Sequence, residues 1–133
     1  MSDNKLSICV VGGTGAQGSG LALRWAKAGH TVSVASRDEA KAKGAAQELN
    51  AILGSDRISG ADYAKGAADA SIIVLTVPFA SQLSTVTALK DQLAGKILID
   101  VTVPLLPPKV STVQLPETDS CVVSIQKLLG ADV

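Results

Sequence analysis

Leu6-Ser7-Ile8-Cys9-Val10-Val11 runs directly into Gly12-Gly13-Thr14-Gly15-Ala16-Gln17-Gly18, and this junction decides the fold. Leu6 to Val11 reads as a buried strand. Gly13, Gly15 and Gly18 stand in GxGxxG spacing, and Leu21, Ala22, Trp25 and Ala28 then recur at helical spacing up to a stop at Gly29. The pattern alone is weak, but here it follows a strand and opens a helix. In that context the first glycine permits a tight turn, and the second lets a pyrophosphate approach the backbone without a Cβ in the way. The third lets helix and strand pack closely, while unpaired amides at the helix start face the anion. A glycine-rich turn with no ligand is the competing reading. It is disfavoured because extra glycines cost backbone entropy unless close approach demands them.

Outward from this junction, short β-branched runs alternate with alanine-rich helical stretches. Thr31 to Ala35 reads as a second strand and Asp38 to Leu53 as a helix ending near Gly54. Arg57 to Ser59 suits a short third strand, with a brief helix over Asp62 to Ala68. Ser71 to Val77 is the clearest strand; a helix over Ser81 to Leu93, stopped by Gly95, and a fifth strand over Lys96 to Thr102 follow. Strands apolar on both faces imply a parallel sheet covered by helices on both sides, a Rossmann-like doubly wound α/β fold of about five strands. Residues 103–120, with Pro104, Pro107, Pro108 and Pro116, read as an irregular segment, and Cys121 to Leu129 as a last helix capped by Gly130. No stretch after Gly130 reads as the sixth strand that a full dinucleotide fold would place next.

Composition removes several classes of function. The 133 residues suit one domain, and 47% hydrophobic with 18% charged is too apolar for a disordered chain. Twelve basic residues balance twelve acidic ones and only 2% are aromatic, so neither a nucleic-acid surface nor an anionic-membrane surface is expected. Cys9 and Cys121 lie far apart with no CxxC, which leaves no zinc site and no disulfide scaffold. The apolar run after Lys5 is too short for a signal peptide, and Ile72 to Ala80, broken by Thr76 and Pro78, is too short to span a membrane. These features predict a soluble, cytoplasmic single domain over residues 1–133.

The end of the second strand speaks to the nucleotide. An NAD site commonly carries Asp or Glu there to hold the ribose hydroxyls. This chain has Ser36, then Arg37, with Lys41 one turn into the helix. A hydroxyl and two cations suit the 2′-phosphate of NADP, Arg37 as a bidentate or stacking partner and Lys41 as a point charge. Two other readings compete. Ser36-Arg37-Asp38-Glu39 is also a capping box, in which Ser36 caps the helix and Glu39 reaches back. Asp38 could instead be an NAD-type carboxylate displaced by two residues. Lys41 near a helix N-terminus, unfavourable for the macrodipole unless an anion sits there, tips the reading to NADP(H).

Val11 to Gly18, Gly20-Leu21-Ala22-Leu23-Arg24, Ala28-Gly29-His30, Ser36-Arg37 with Lys41, Val74-Leu75-Thr76-Val77-Pro78-Phe79, and Gly95 to Leu105 together resemble the NADPH-dependent deazaflavin reductases, the coenzyme F420:NADP oxidoreductases. The resemblance covers nearly the whole chain, and Lys96 to Leu105 after the Thr-Val-Pro strand end is its most telling part. It implies that Thr14, Ser36, Arg37 and Lys41 hold the 2′-phosphate side of NADP. Gly13, Gly15, Ala16 and Gln17 match its pyrophosphate loop, and Gly18 completes the glycine motif. Thr76, Val77 and Pro78 match the strand end beside the dinucleotide. It further implies hydride transfer between NADPH and a deazaflavin or flavin-type acceptor with no catalytic acid, base or nucleophile and no metal. Members continue into another strand and a smaller C-terminal domain, so the chain is expected to represent the N-terminal domain, as a truncated form or a stand-alone module.

The remaining candidates have plainer readings. His30 has no partner in motif spacing and suits a turn role; Cys9 and Cys121 read as packing residues and Trp25 as core. Asp100, at a strand end, is expected to bond nearby loop amides. Tyr63 followed by Ala67 lacks the Tyr/Lys pair of short-chain dehydrogenases. Two functions stay open: an NADP(H)-dependent oxidoreductase, and a non-catalytic NADP(H)-binding or sensor module. The partner is a small-molecule dinucleotide in both. The missing sixth strand would leave a sheet edge open to homodimerisation.

Overall fold

The structure is a computed structural model and describes residues 5–105, 108, 111–115 and 120–133. Five parallel strands form one sheet: β1 (Ser7–Val11), β2 (Thr31–Ser36), β3 (Ile58–Asp62), β4 (Ile72–Leu75) and β5 (Ile97–Asp100), in the order β3-β2-β1-β4-β5. Helices α1 (Ala16–Lys27), α2 (Glu39–Leu53), α3 (Tyr63–Asp69), α4 (Phe79–Leu93) and α5 (Cys121–Leu129) complete the α/β fold.

Alternation along the strands divides the core into two layers. Ile8, Val10, Val32, Val34 and Val74 point toward α1 and α2, where they meet Ala22, Ala26, Ala46 and Leu49. Cys9, Val11, Ala35, Ile73 and Leu75 point the other way, against Ala67, Val86, Leu89, Leu93 and Ile125 of α3, α4 and α5. Burial on both faces explains why β1 and β4 are apolar without interruption. Trp25 is only half-buried, packed against the rim of the first layer.

Several boundaries differ from the sequence-based expectation, each for a local reason. β4 stops at Leu75, not Val77, because its neighbour β1 ends at Val11 and the chain turns away at Gly12, whose φ is +83°. β5 likewise ends at Asp100, not Thr102. α4 begins at Phe79, two residues early, with Pro78 at its N-cap and Ser81 N donating to Pro78 O at 2.9 Å. β3 is longer than expected and pairs with β2 from Val32↔Ile58 to Ser36↔Asp62. Gly60 sits inside it because a Cβ there would fall 2.5 Å from Ala42 C and O and against Lys43 N, so α2 rests directly on the strand.

The capping box is also corrected. Asp38, not Ser36, caps α2: its Oδ1 accepts from Ala40 N at 3.0 Å and Lys41 N at 3.3 Å. Glu39 does not reach back but pairs with Lys43 one turn on, at 3.3 Å. Ser36 still belongs to β2, paired opposite Asp62, so the helix must start later. His30 fills its turn role, Nδ1 accepting from Leu6 N at 3.1 Å. α5 spans Cys121–Leu129 as expected. In the proline-containing segment, residues 103–105, 108 and 111–115 carry no helix or strand, whereas Pro107 and Pro116 lie outside the described residues.

Candidate functional site

All five strands run the same way, so the segment leaving each C-terminal end arrives at one edge of the sheet. There a cavity of about 880 Å³ opens. Its size falls in the range of small-molecule sites, and an open parallel sheet places ligands at this edge.

The glycine turn forms the centre of the cavity wall. Gly12 N donates to Ala35 O at 3.0 Å, Gly13 N to Val10 O at 3.1 Å and Gly15 N to Gly12 O at 3.1 Å. The left-handed residue is Gly12, just ahead of the motif as read from the sequence. Gly13 is required for packing: a Cβ would lie 2.7 Å from Val34 Cβ. Gly18 is required for the same reason, with Thr76 Oγ1 at 2.6 Å and Gly12 O at 2.8 Å. Both sit behind the cavity wall. At Gly15 a Cβ would meet only Gly12 O, at 3.5 Å, so what its hydrogen leaves open is the cavity itself. Gly15 is the N-cap of α1 with no side-chain cap, and the amides of Ala16, Gln17 and Gly18 precede the first helical bond, Ser19 N to Gly15 O at 2.9 Å. No acidic residue occupies that first turn. Thr14, Gly15, Ala16 and Gln17 all line the cavity.

On the β2 side the wall carries Ser36, Arg37 and Lys41. Both cations are exposed, and neither forms an ion pair among the described residues. Ser36 Oγ accepts from Asp38 N at 3.3 Å, a bond that does not use the hydroxyl hydrogen. Asp38 does not line the cavity, and its Oδ1 serves the amides of α2. A displaced ribose-binding carboxylate is therefore disfavoured. Tyr63 also lines this side, a residue that sequence reasoning weighed only as a dehydrogenase tyrosine and set aside. The last pair of the register, Ser36↔Asp62, brings together the residues just after it, Arg37 in the turn beyond β2 and Tyr63 at the start of α3, a proximity visible only once β2 and β3 are paired. Burial pushes the Tyr63 phenol above its ordinary value of 10.0, against a smaller pull from the Arg37 charge.

On the β4 and β5 side, Thr76, Val77 and Pro78 line the cavity. The Thr76 hydroxyl donates to Val11 O at 2.9 Å, tying the end of β4 to the strand before the glycine turn. Phe79, Ser81, Ser84 and Thr85 from α4, and Val101, Thr102 and Val103 after β5, are further lining residues to which the sequence reading gave no site role. Asp100 behaves as expected of a strand-end carboxylate, accepting from the Thr102 amide at 2.9 Å. Cys9 is fully buried, and burial pushes its thiol up to about 11, so it is a packing group rather than a nucleophile. Cys121 is buried as well. Among the described residues no three His, Cys, Asp or Glu side chains converge as a metal site, and no helix is long and apolar enough to cross a membrane.

With this geometry in hand, comparison with known proteins is informative. Residues 7–104 match the family model described as NADP oxidoreductase, coenzyme F420-dependent. The F420-dependent NADP reductase of Methanothermobacter thermautotrophicus is 49% identical over 102 residues, 75% of this chain and 44% of the relative. That of Methanocaldococcus jannaschii is 38% identical over 104 residues, 75% of this chain and 46% of the relative. The chain thus spans less than half the length of these relatives. Among solved structures, an Arthrobacter sp. FB24 protein assigned as an F420-dependent NADP reductase superposes with a TM-score of 0.77 at 30% identity, over 93% of this chain and 58% of that one. A Plasmodium falciparum pyrroline carboxylate reductase, at 19% identity and a TM-score of 0.57, shares the fold. The family match over all five strands, together with these identities, is sufficient: the chain belongs to the coenzyme F420-dependent NADP oxidoreductase family.

Proposed function

We propose that this chain is the NADP(H)-binding domain of a cytoplasmic oxidoreductase that passes hydride between NADPH and a deazaflavin, the F420 type of acceptor that its relatives' names carry. The observation that carries the reading is the pair Arg37 and Lys41, beside Ser36, without anionic partners in the cavity that Gly15 leaves open. A phosphate monoester supplies the missing charge, and the guanidinium offers a planar fork to its oxygens. The residues fit the dinucleotide on structural grounds. Gly15 would admit the pyrophosphate against the backbone, with Thr14 and the amides of Ala16 and Gln17 around it. Gly13 and Gly18 would hold that turn in place from behind. Thr76, Val77 and Pro78 would form the wall beyond it.

The hydride chemistry is supplied by the nicotinamide when it is bound, and the protein needs no acid or base for it. The chain's own contribution is orientation and the exclusion of water along an apolar wall of Val77, Phe79, Val101 and Val103. Titration calorimetry with NADPH, NADH and a deazaflavin in turn tests the reading, with nicotinamide absorbance followed when donor and acceptor are mixed. NADPH binding well above NADH is expected, and equal binding refutes the nucleotide assignment.

A second reading, a non-catalytic NADP(H)-binding module, rests on the same cavity, since the Arg37 and Lys41 pair needs no acceptor to hold a phosphate. Binding without any absorbance change on adding the acceptor selects it. The outer face of β5, where Ile97 and Ile99 are exposed by 60% and 43%, is apolar surface that a second copy could cover. Sedimentation at micromolar concentration distinguishes monomer from dimer.

A further inference from the structure

Four elements meet at Thr102. Asp100 Oδ1 accepts from its amide at 2.9 Å, and Asp100 Oδ2 accepts from Gln82 Nε2 of α4 at 2.6 Å. Thr102 Oγ1 donates to Val77 O at 3.4 Å, and Thr102 O accepts from Cys121 Sγ at the start of α5 at 3.1 Å. The Gln82 amide also reaches Cys121 O at 3.4 Å. Val101 N donates to Leu75 O at 3.2 Å, so the chain leaving β5 is held residue by residue.

Gln82 is only 3% exposed, among the buried residues of α4 with Thr85, Val86, Leu89 and Leu93. The bond joins this buried amide to a carboxylate that is only partly buried. What the pair provides is geometry: Gln82 fixes the Asp100 carboxylate, and the carboxylate fixes the Thr102 amide. Val101, Thr102 and Val103 line the cavity at its β5 end, on the opposite side of the glycine turn from Arg37 and Lys41.

We propose that Gln82 and Asp100 are positioning residues that hold the backbone of Val101–Val103 ready for the part of a dinucleotide remote from Arg37, its nicotinamide half. This rests on the dinucleotide reading above. It predicts that disturbing the pair separates two ligands that share an adenosine end. The test is calorimetry on the full chain with NADPH and with 2′,5′-ADP, which carries the ribose phosphate but no nicotinamide.

Gln82→Met keeps volume and removes the bond; NADPH is expected to lose about tenfold in affinity, while 2′,5′-ADP stays within about twofold of wild type. Asp100→Asn is the conservative variant: its oxygen still accepts from Thr102, and Gln82 can turn its own oxygen toward the new amide. It is expected to retain both affinities. A role in fold stability alone would weaken both ligands together or neither, and either result overturns the proposal. A wild-type chain that binds neither ligand overturns the dinucleotide reading and this inference with it. Hydrogen exchange on the unliganded wild type gives a check free of variants. The Thr102 amide is expected to be protected before any ligand is added, and exchange as fast as at an exposed loop amide refutes a preformed clamp.

Discussion

Replacing Arg37 with alanine removes a guanidinium that is exposed and forms no ion pair among the described residues. The unliganded fold therefore has little to lose, and stability is expected to stay within about 0.5 kcal/mol of wild type. The effect belongs to the bound state. A charge-assisted hydrogen bond to a phosphate is worth about 1–3 kcal/mol, so the NADPH dissociation constant is expected to rise about 5- to 150-fold. Lys41 remains in the same cavity and keeps part of the attraction, which favours the lower half of that range. NADH, with no 2′-phosphate, is expected to change little. Calorimetry with both nucleotides at low salt measures the difference. Repeating it at about 1 M salt, where the screening length shrinks to roughly 3 Å, should compress it. Parallel losses for NADPH and NADH would refute the reasoning, because they would place Arg37 against a part that the two nucleotides share.

Gly15→Val puts a branched side chain into the cavity at a residue whose φ of −78° suits any amino acid, so the chain should still fold, with a melting temperature lowered only by the poorer helix cap, yet bind neither nucleotide. Retained binding would remove Gly15 from the cradle. Asp38→Ala should cost about 1 kcal/mol of stability through the lost helix cap and leave the ratio of NADPH to NADH affinity as it was; a selective loss of NADH would restore the ribose-carboxylate reading. Cys9, with its thiol pushed up to about 11 from 9.0 by burial, binds its proton more tightly in the folded chain than in the unfolded one. Its contribution is therefore fully present below pH 9 and is lost as pH rises toward 11. Alkaline unfolding curves should fall less steeply over that interval for Cys9→Ala than for wild type, and identical slopes would count against it.

The parts of the fold legible from the sequence are those where composition and partner agree. β1, β2 and β4 are buried on both faces, so their residues carry the signal themselves. β3 was hard to read because Ser59, Gly60 and Asp62 look like loop, yet Gly60 is there to admit α2. Val77, Val101 and Thr102 show the opposite failure. They are β-branched, but the strand beside them has already turned away, and propensity cannot report a missing neighbour. Ser36 and Asp38 are both good caps, and the choice between them depends on where β2 stops pairing with β3. The same dependence hid the place of Tyr63 in the cavity while leaving Ser36, Arg37 and Lys41 readable, since those three lie close together in the chain and Tyr63 opens the helix after β3.

The seating of α2 on Gly60 has a consequence for how cofactor choice could drift. Lys41 stands one position before Ala42, the residue whose carbonyl rests on that glycine. A methyl at position 60 would push the helix outward by roughly an ångström to reach ordinary contact, carrying the ammonium of Lys41 with it. On the proposed role of Lys41, preference between the two nicotinamide nucleotides would thus be tuned from within the sheet, by a residue that lies outside the cavity lining.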